Sequence, residues 1–167
     1  MSDPKPSDTT QTIHDFFVIR PGRTGDHAFI ADSWQNAHAR TAIGKEMGPH
    51  YMSEQKELVR RILSWPTTIV RVAADKEDDE AIHGYAVTSE STDESKETRL
   101  YYIYVKHDAR RLGIANALIG HLRNRPVTYT HKPKGTPCVH CTGQALADVL
   151  PRPSQWTFSY FANFTEI

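Results

Sequence analysis

Residues 100–119, LYYIYVKHDARRLGIANALI, join a strand-like run to a helical one, and the rest of the chain is interpreted outward from them. The first half is rich in aromatic and β-branched residues, which is typical of a strand. The second half, continued to residue 124, predicts a helix because apolar residues recur at three-and-four spacing. The predicted buried stripe consists of Ile114, Ala117, Leu118 and Leu122.

The junction between the two halves has the composition of an anion cradle. A tight turn before a helix exposes backbone amides where the helix dipole also favours negative charge. Gly113 lets the chain turn and a ligand approach, and Ala115 keeps the same surface low. Arg110 and Arg111 add forked donors that suit phosphate oxygens. A diphosphate group is therefore the expected guest, although neither a nucleotide P-loop nor a three-glycine dinucleotide fingerprint is present.

The segments on either side predict a mixed order of strands and helices. Thr24 or Asp26 can cap a first helix, and Ser53 can cap a second one, after a polar loop at 42–52, that Trp65-Pro66 ends. Three consecutive strands then follow, because runs of β-formers alternate with charged turns. The predicted strands are 15–22, 67–75, 81–90, 98–107, 126–131 and 155–164, and the predicted helices are 23–40, 53–64, 113–124 and 141–150.

Length and charge bound the remaining choices. A chain of 167 residues fits one domain, expected at 14–167 after a disordered lead-in at 1–13. Twenty basic and twenty acidic side chains cancel, so no direct nucleic-acid binding is expected. No run is long and apolar enough for a membrane span, and the first residues lack a signal-peptide core, so a cytoplasmic location is expected.

The motif resembles the acetyl-CoA-binding segment of the GNAT superfamily of N-acetyltransferases. Ile103-Tyr104-Val105 matches the end of the family's fourth strand, and the residues 110–115, RRLGIA, match its Arg/Gln-x-x-Gly-x-Gly/Ala turn. VIRPGRTGD at 18–26 and IHGYAV at 82–87 match the first strand and the third strand. The resemblance implies a mixed α/β fold with a twisted, largely antiparallel sheet of six to seven strands. About four helices would flank this sheet, and strands 4 and 5 would splay apart to leave a cleft.

The same resemblance implies acetyl-CoA as cosubstrate and an amine as acceptor, which could be a protein. The backbone around 103–105 would hold the pantetheine arm as an added pseudo-strand. The amides of 111–116 would hold the pyrophosphate. The implied cofactor-binding residues are Ile103, Tyr104, Val105, Arg110, Arg111, Leu112, Gly113, Ile114, Ala115 and Asn116. Many relatives dimerise, so a homodimer stays open, with the aromatic run 156–164 as one candidate interface.

Acyl transfer to an amine requires a neutral nitrogen. A lysine-like amine is uncharged in only about one molecule in 2,500 at pH 7, a handicap of roughly 4.6 kcal/mol, so a general base is expected. Many relatives use a glutamate on strand 4, but residues 98–105 read TRLYYIYV. The substitutes are a tyrosine acting through water, a group from the loop between the first two helices, or a strand 3 histidine. They are Tyr101, Tyr102, Glu46, His50 and His83.

The identity of the general acid is also left open by the sequence. Many relatives place a tyrosine on their fourth helix, which residues 141–150 do not contain, so Tyr160 on the last strand is the substitute. The main catalytic candidates are Tyr102, Tyr160 and His50. Cys138 and Cys141 form a single Cys-x-x-Cys pair without a second one, and no metal site is predicted. The alternative to an enzyme is an acyl-CoA-binding or regulatory module with weak or no turnover.

Overall fold

The computed structural model describes residues 16–40, 42–46, 48–89, 98–122, 125–129 and 156–158. Within these ranges the strands are β1 (Phe17–Pro21), β2 (Thr68–Asp75), β3 (Ile82–Ser89), β4 (Thr98–Val105), β5 (Val127–Tyr129) and β6 (Trp156–Phe158). The helices are α1 (His27–Ala39), α2 (Ala42–Glu46), α3 (Pro49–Ser64) and α4 (Ile114–Ile119). Short 3-10 turns precede α1 at Thr24–Asp26 and follow α4 at Gly120–Leu122.

The six described strands form one mixed sheet in the order β1-β2-β3-β4-β5-β6. Strands β1 to β4 pair antiparallel with their neighbours, whereas β5 pairs parallel with β4 and with β6. The predicted α/β fold class and the predicted order of strands are confirmed. The predicted helix at 141–150 and the lead-in at 1–13 lie outside the described residues, so they stay predictions.

Each face of the sheet carries its own hydrophobic core. Successive side chains of a strand point to opposite faces, so Tyr85 and Val87 of β3 face α1 and α3, while Ala86 between them faces α4. The α1/α3 face buries Ile30, Trp34, Val59, Ile62, Val72, Tyr85, Val87 and Tyr101. The α4 face buries Phe17, Ala73, Ala86, Leu100, Ile114, Leu118 and Leu122. Three of the four residues of the predicted stripe, Ile114, Leu118 and Leu122, are therefore in the core.

The second predicted helix begins earlier than the sequence prediction placed it. Ser53 is not its cap, because α3 already begins at Pro49, with Gly48 as the extended residue before it. Proline fits the first helical position, where its missing N–H would have no partner and its fixed φ suits the helix. The polar loop at 42–52 also contains α2 at Ala42–Glu46. The predicted end at Trp65-Pro66 is confirmed, since Trp65 is extended.

The first helix begins as predicted but without the predicted cap. Among the described atoms, no side chain caps α1, because the Asp26 carboxylate is engaged elsewhere. It accepts two bonds from the guanidinium of Arg20, at 2.7 and 3.0 Å, and a third from the backbone N–H of Arg23 at 2.7 Å. Arg20 also donates to Asp79 in the β2–β3 turn, so the pair ties β1 to that turn and to the start of α1.

Candidate functional site

The candidate site begins at a bulge in β4. Val87 of β3 pairs with Tyr102, and the next residue, Thr88, pairs with Leu100, so Tyr101 is the extra residue. Bulges of this kind bend a strand and re-aim its side chains. Beyond the bulge, Tyr102 and Tyr104 pack toward α1, whereas Ile103 and Val105 pack toward α4.

The far edge of β4 changes its pairing at the same point. Residues 98–100 pair with 127–129 of β5, and β4 then continues to Val105. Within the described ranges, residues 101–105 pair only with β3. This geometry agrees with the predicted cleft between strands 4 and 5. Backbone groups at 103–105 lie where an extended ligand could pair with the strand.

The turn between β4 and α4 has the backbone geometry of an anion nest. Lys106 N–H donates to the carbonyl of His83 at 2.8 Å, which holds the start of the turn on β3. Arg111 has φ 69° and Gly113 has φ 75°, both in the left-handed region. Leu112 between them is not left-handed, so the handedness alternates along three residues. Alternation of this kind directs successive N–H groups toward one point, where an anion binds.

Two arginines accompany the nest, as the sequence predicted. Arg110 and Arg111 are exposed, and Arg110 Nε donates to the carbonyl of Val105 at 3.3 Å, which holds its side chain beside the end of β4. Leu112 is 44% exposed, Ile114 is buried, and Ala115 and Asn116 are half-buried on the first turn of α4. The structure therefore brings residues 103–105 and 110–116 together around one turn.

Gly84 of β3 supports this turn and was missed by sequence reasoning. A Cβ built at Gly84 would lie 2.7 Å from the carbonyl oxygen of Tyr104 and 3.0 Å from Cγ2 of Ile114. Only glycine therefore permits β4 and α4 to approach β3 so closely here. The available signal was a glycine inside a strand, which often marks a close backbone approach.

Tyr102 lies against α1 in an aromatic group. Its ring stacks on Trp34 with centroids 4.7 Å apart and an interplanar angle of 11°. Burial, together with the neighbouring Tyr104, raises the pKa of Tyr102 to about 12. Its phenol is therefore neutral near pH 7, so it can donate a proton or relay one through water.

The other catalytic candidates are scattered. His50 lies on the first turn of α3 rather than in a loop, and its side chain is 92% exposed and 3.4 Å from Glu54. Glu46 is exposed on α2, and Tyr101 is fully buried. Tyr160 lies outside the described residues. The catalytic roles of Tyr102, His50 and Tyr160 stay predictions.

His38 is a titratable residue that sequence reasoning did not single out. It lies one helical turn after Trp34 on α1, and its Nε2 is 3.2 Å from the hydroxyl of Tyr51 on α3. Burial lowers the pKa of His38, so its ring is neutral near pH 7. The only sequence signal was its spacing of four residues from Trp34.

Neither a metal group nor a membrane span is found in the described part of the chain. Its residues hold no group of three or more His, Cys, Asp or Glu side chains that could bind a metal ion. None of its helices has the length and apolar character needed to cross a bilayer. Cys138 and Cys141 fall outside it.

Solved structures with TM-scores above 0.5 share this fold. A protein named "Putative acetyl transferase" from Pyrococcus furiosus matches with TM-score 0.54 and 19% identity over 74% of this chain and 87% of its own. A possible acetyltransferase from Clostridium difficile 630 matches with TM-score 0.52 and 20% identity over 79% and 90%. A GNAT-family protein from Desulfovibrio desulfuricans gives TM-score 0.43 and 18% identity, and the match covers 64% of this chain and 62% of that protein. No curated protein matches the chain.

The class that fold and site define is a mixed α/β domain with a bulged fourth strand, followed by a turn with the backbone geometry of an anion nest. A family model, Acetyltransferase (GNAT) family, matches residues 27–125, which is more than half of the chain. The chain belongs to the GNAT acetyltransferase family. Members generally use acetyl-CoA as the acetyl donor.

Proposed function

We propose that the protein transfers an acetyl group from acetyl-CoA to a primary amine by direct attack in a ternary complex. The observation that carries the proposal is the sequence of features along β4: a bulge at Tyr101, an edge without a described partner strand, and a turn with left-handed Arg111 and Gly113. In this arrangement a thioester could lie at the bulge while its nucleotide end is held at the turn between β4 and α4.

The residues that we propose to bind acetyl-CoA, the acetyl donor, are inferred from the backbone geometry. The N–H groups of 111–116 would take the pyrophosphate, since backbone amides in a nest and the helix dipole favour anions. Arg110 and Arg111 would add charge-assisted bonds. Backbone groups of Ile103, Tyr104 and Val105 would pair with the pantetheine amides as an added strand.

The transfer step requires one proton to leave the amine and one to reach the leaving thiolate. The nitrogen lone pair attacks the thioester carbon, the C–S bond breaks, and the sulfur leaves as thiolate. A backbone N–H at the bulge could stabilise the oxyanion without reorganisation. Tyr102 is our candidate for moving a proton through water, because its neutral phenol can give one proton as it accepts another. His50 and Tyr160 stay secondary candidates.

The acceptor is left as a primary amine, either on a protein or on a small molecule. A homodimer, with the aromatic run at 156–164 as its interface, stays a proposal for the assembly.

A CoA-binding or regulatory module is the second candidate. It is favoured by the packing of Tyr102 flat against Trp34 and by its raised pKa, because the phenol stays protonated near pH 7 and its phenolate is not available as a general base. This module would bind acetyl-CoA through the same turn but release no thiol in the presence of amines.

The experiment that separates the two is thiol release from acetyl-CoA by the purified protein against a panel of amines and lysine peptides. Acetyl-CoA affinity is measured by calorimetry on the same sample. Acceptor-dependent release supports the transferase. Binding without release across the panel supports the module, and a lack of acetyl-CoA binding contradicts both.

A further inference from the structure

A cavity lies beneath the β4–α4 turn, on the α4 face of the sheet. It encloses about 240 Å³ and is bounded by β1, the facing ends of β2 and β3, and the turn itself. The residues that line it include Phe16, Phe17, Asp75, His83, Asp108 and Leu112. Of the residues assigned above to acetyl-CoA, only Leu112 and Ile114 border it.

A bulge in β3 directs His83 into this cavity. Ala73 of β2 pairs with Gly84, and the next residue, Ala74, pairs with Ile82, so His83 is the extra residue. Its Nε2 lies 3.1 Å from Oδ2 of Asp75. Its Nδ1 is buried and has no hydrogen-bond partner among the described residues. With Nε2 as the donor to Asp75, Nδ1 is an acceptor that the described protein groups do not use.

Two carboxylates give the cavity negative charge. Asp75 and Asp108 both line it. Hydrogen bonds from Glu77 N–H and from His83 lower the pKa of Asp75, so its carboxylate is ionised at neutral pH. Two cations of the turn are directed elsewhere. Lys106 lies 5.6 Å from the ring centre of Phe29 on the opposite face of the sheet, and Arg110 donates to Val105.

The remaining walls are apolar and partly open. Phe17 is buried at 3% exposure, whereas Phe16 and Leu112 are 53% and 44% exposed at the rim. Exposed side chains of this size next to a charged cavity favour a ligand with an apolar body. A volume of about 240 Å³ lies below the roughly 300–1,000 Å³ of pockets for drug-sized ligands, so the body is small, about one ring.

We propose that this cavity binds a small organic ammonium ion whose apolar body contacts Phe16 and Leu112 and whose charge pairs with Asp75 and Asp108. The site goes beyond the proposed transfer reaction, because the two carboxylates that pair with the ligand, Asp75 and Asp108, have no part in that reaction.

The test uses the full chain and calorimetry with N,N-dimethylbenzylamine as the probe. This amine is protonated near neutral pH and has no N–H in its neutral form to exchange for an acetyl group, so its binding is independent of any transferase activity. Benzyl alcohol is the neutral control of similar shape. We expect the amine to bind at least about tenfold more tightly than the alcohol, because only the amine carries a charge for the two carboxylates.

Variants locate the binding. Asp108→Asn and Phe16→Ala should each weaken the probe about threefold or more. Asp32→Asn is the matched control, since that carboxylate lies on α1 on the opposite face and should leave affinity unchanged. Equal binding of amine and alcohol, equal loss in the control, or no heat up to about 10 mM probe would each overturn the proposal. Thermal midpoints of the variants confirm that all are folded.

Discussion

Gly113 and Arg111 shape the turn through their backbone conformation. Both are left-handed, which costs glycine little and costs other residues roughly 1–2 kcal/mol. An arginine held in this region therefore indicates that the surrounding turn stabilises it. The sequence predicted the need for glycine here, but it contained no signal for the left-handed arginine two residues earlier.

Tyr102→Phe tests the proposed proton route. We expect kcat to fall at least about tenfold, with acetyl-CoA affinity unchanged, because only the hydroxyl is lost. Tyr104→Phe removes a hydroxyl from the same face of β4 and serves as the control, with little expected change. Steady-state kinetics and calorimetry provide both readouts. An unchanged kcat in Tyr102→Phe would remove this residue from the mechanism.

The partly buried His38 should make the unfolding free energy of the protein depend on pH. Its pKa in the folded protein lies below the ordinary histidine value of 6.5, because burial disfavours the charged ring. The unfolded chain therefore takes up the proton first, and the unfolding free energy should decline as the pH falls below 6.5. Urea unfolding between about pH 7.5 and pH 5 measures this slope, and His38→Gln should reduce it. An equal slope in both proteins would contradict the assignment.

At the scale of elements, the contact between β3 and α4 depends on Gly84. Gly84→Ala places a methyl group against the Tyr104 carbonyl and Ile114, so either β4 or α4 must shift. We expect a loss of about 1–3 kcal/mol in unfolding free energy, and also weaker acetyl-CoA binding, since Tyr104 belongs to the proposed pantetheine strand. Gly25→Ala is the control, because its added methyl group meets open space. Wild-type stability in Gly84→Ala would show that the strands can relax.

The Arg20–Asp26 pair joins three elements. Both side chains are about nine-tenths buried, at 9% and 10% exposure, and the guanidinium also bonds Asp79. Arg20→Ala leaves the Asp26 carboxylate buried without its main partner, so we expect a loss of about 3 kcal/mol. Arg61→Ala on the exposed side of α3 is the control, measured by the same urea titration. A loss of unfolding free energy no larger than that of the control would mean that water hydrogen-bonds the Asp26 carboxylate in place of Arg20.

Sequence patterns predicted which helices and strands form better than they predicted the residues at which these elements begin and end. The stripe on α4 and the strand run at 98–107 are local signals, so they could be read directly. The start of α3 was misplaced because Ser53 is a good cap residue, whereas Pro49 fits the first position of a helix equally well. The cap at Asp26 was wrong because a residue six positions earlier, Arg20, takes the carboxylate in the folded chain.

For the whole molecule, the turn proposed as the donor site could be predicted from the sequence, whereas the catalytic groups stay predictions. The proposed donor site is contiguous in sequence and depends on backbone groups, so the motif at 100–119 describes it. Proton transfer depends on side chains from different elements, whose separation only the fold determines. His38 and Tyr51, for example, are 13 residues apart in sequence and meet between α1 and α3.

The most direct measurement is acetyl-CoA affinity, by calorimetry, of Gly113→Val beside Gly120→Ala. Gly113→Val forces a β-branched residue into the left-handed position of the turn and blocks the approach of the pyrophosphate, so we expect no detectable binding. Gly120→Ala adds a methyl group in the 3-10 turn after α4, 3.6 Å from Oδ1 of Asn116, and should bind as the wild type does. Wild-type affinity in a folded Gly113→Val protein would contradict the proposal that this turn holds acetyl-CoA.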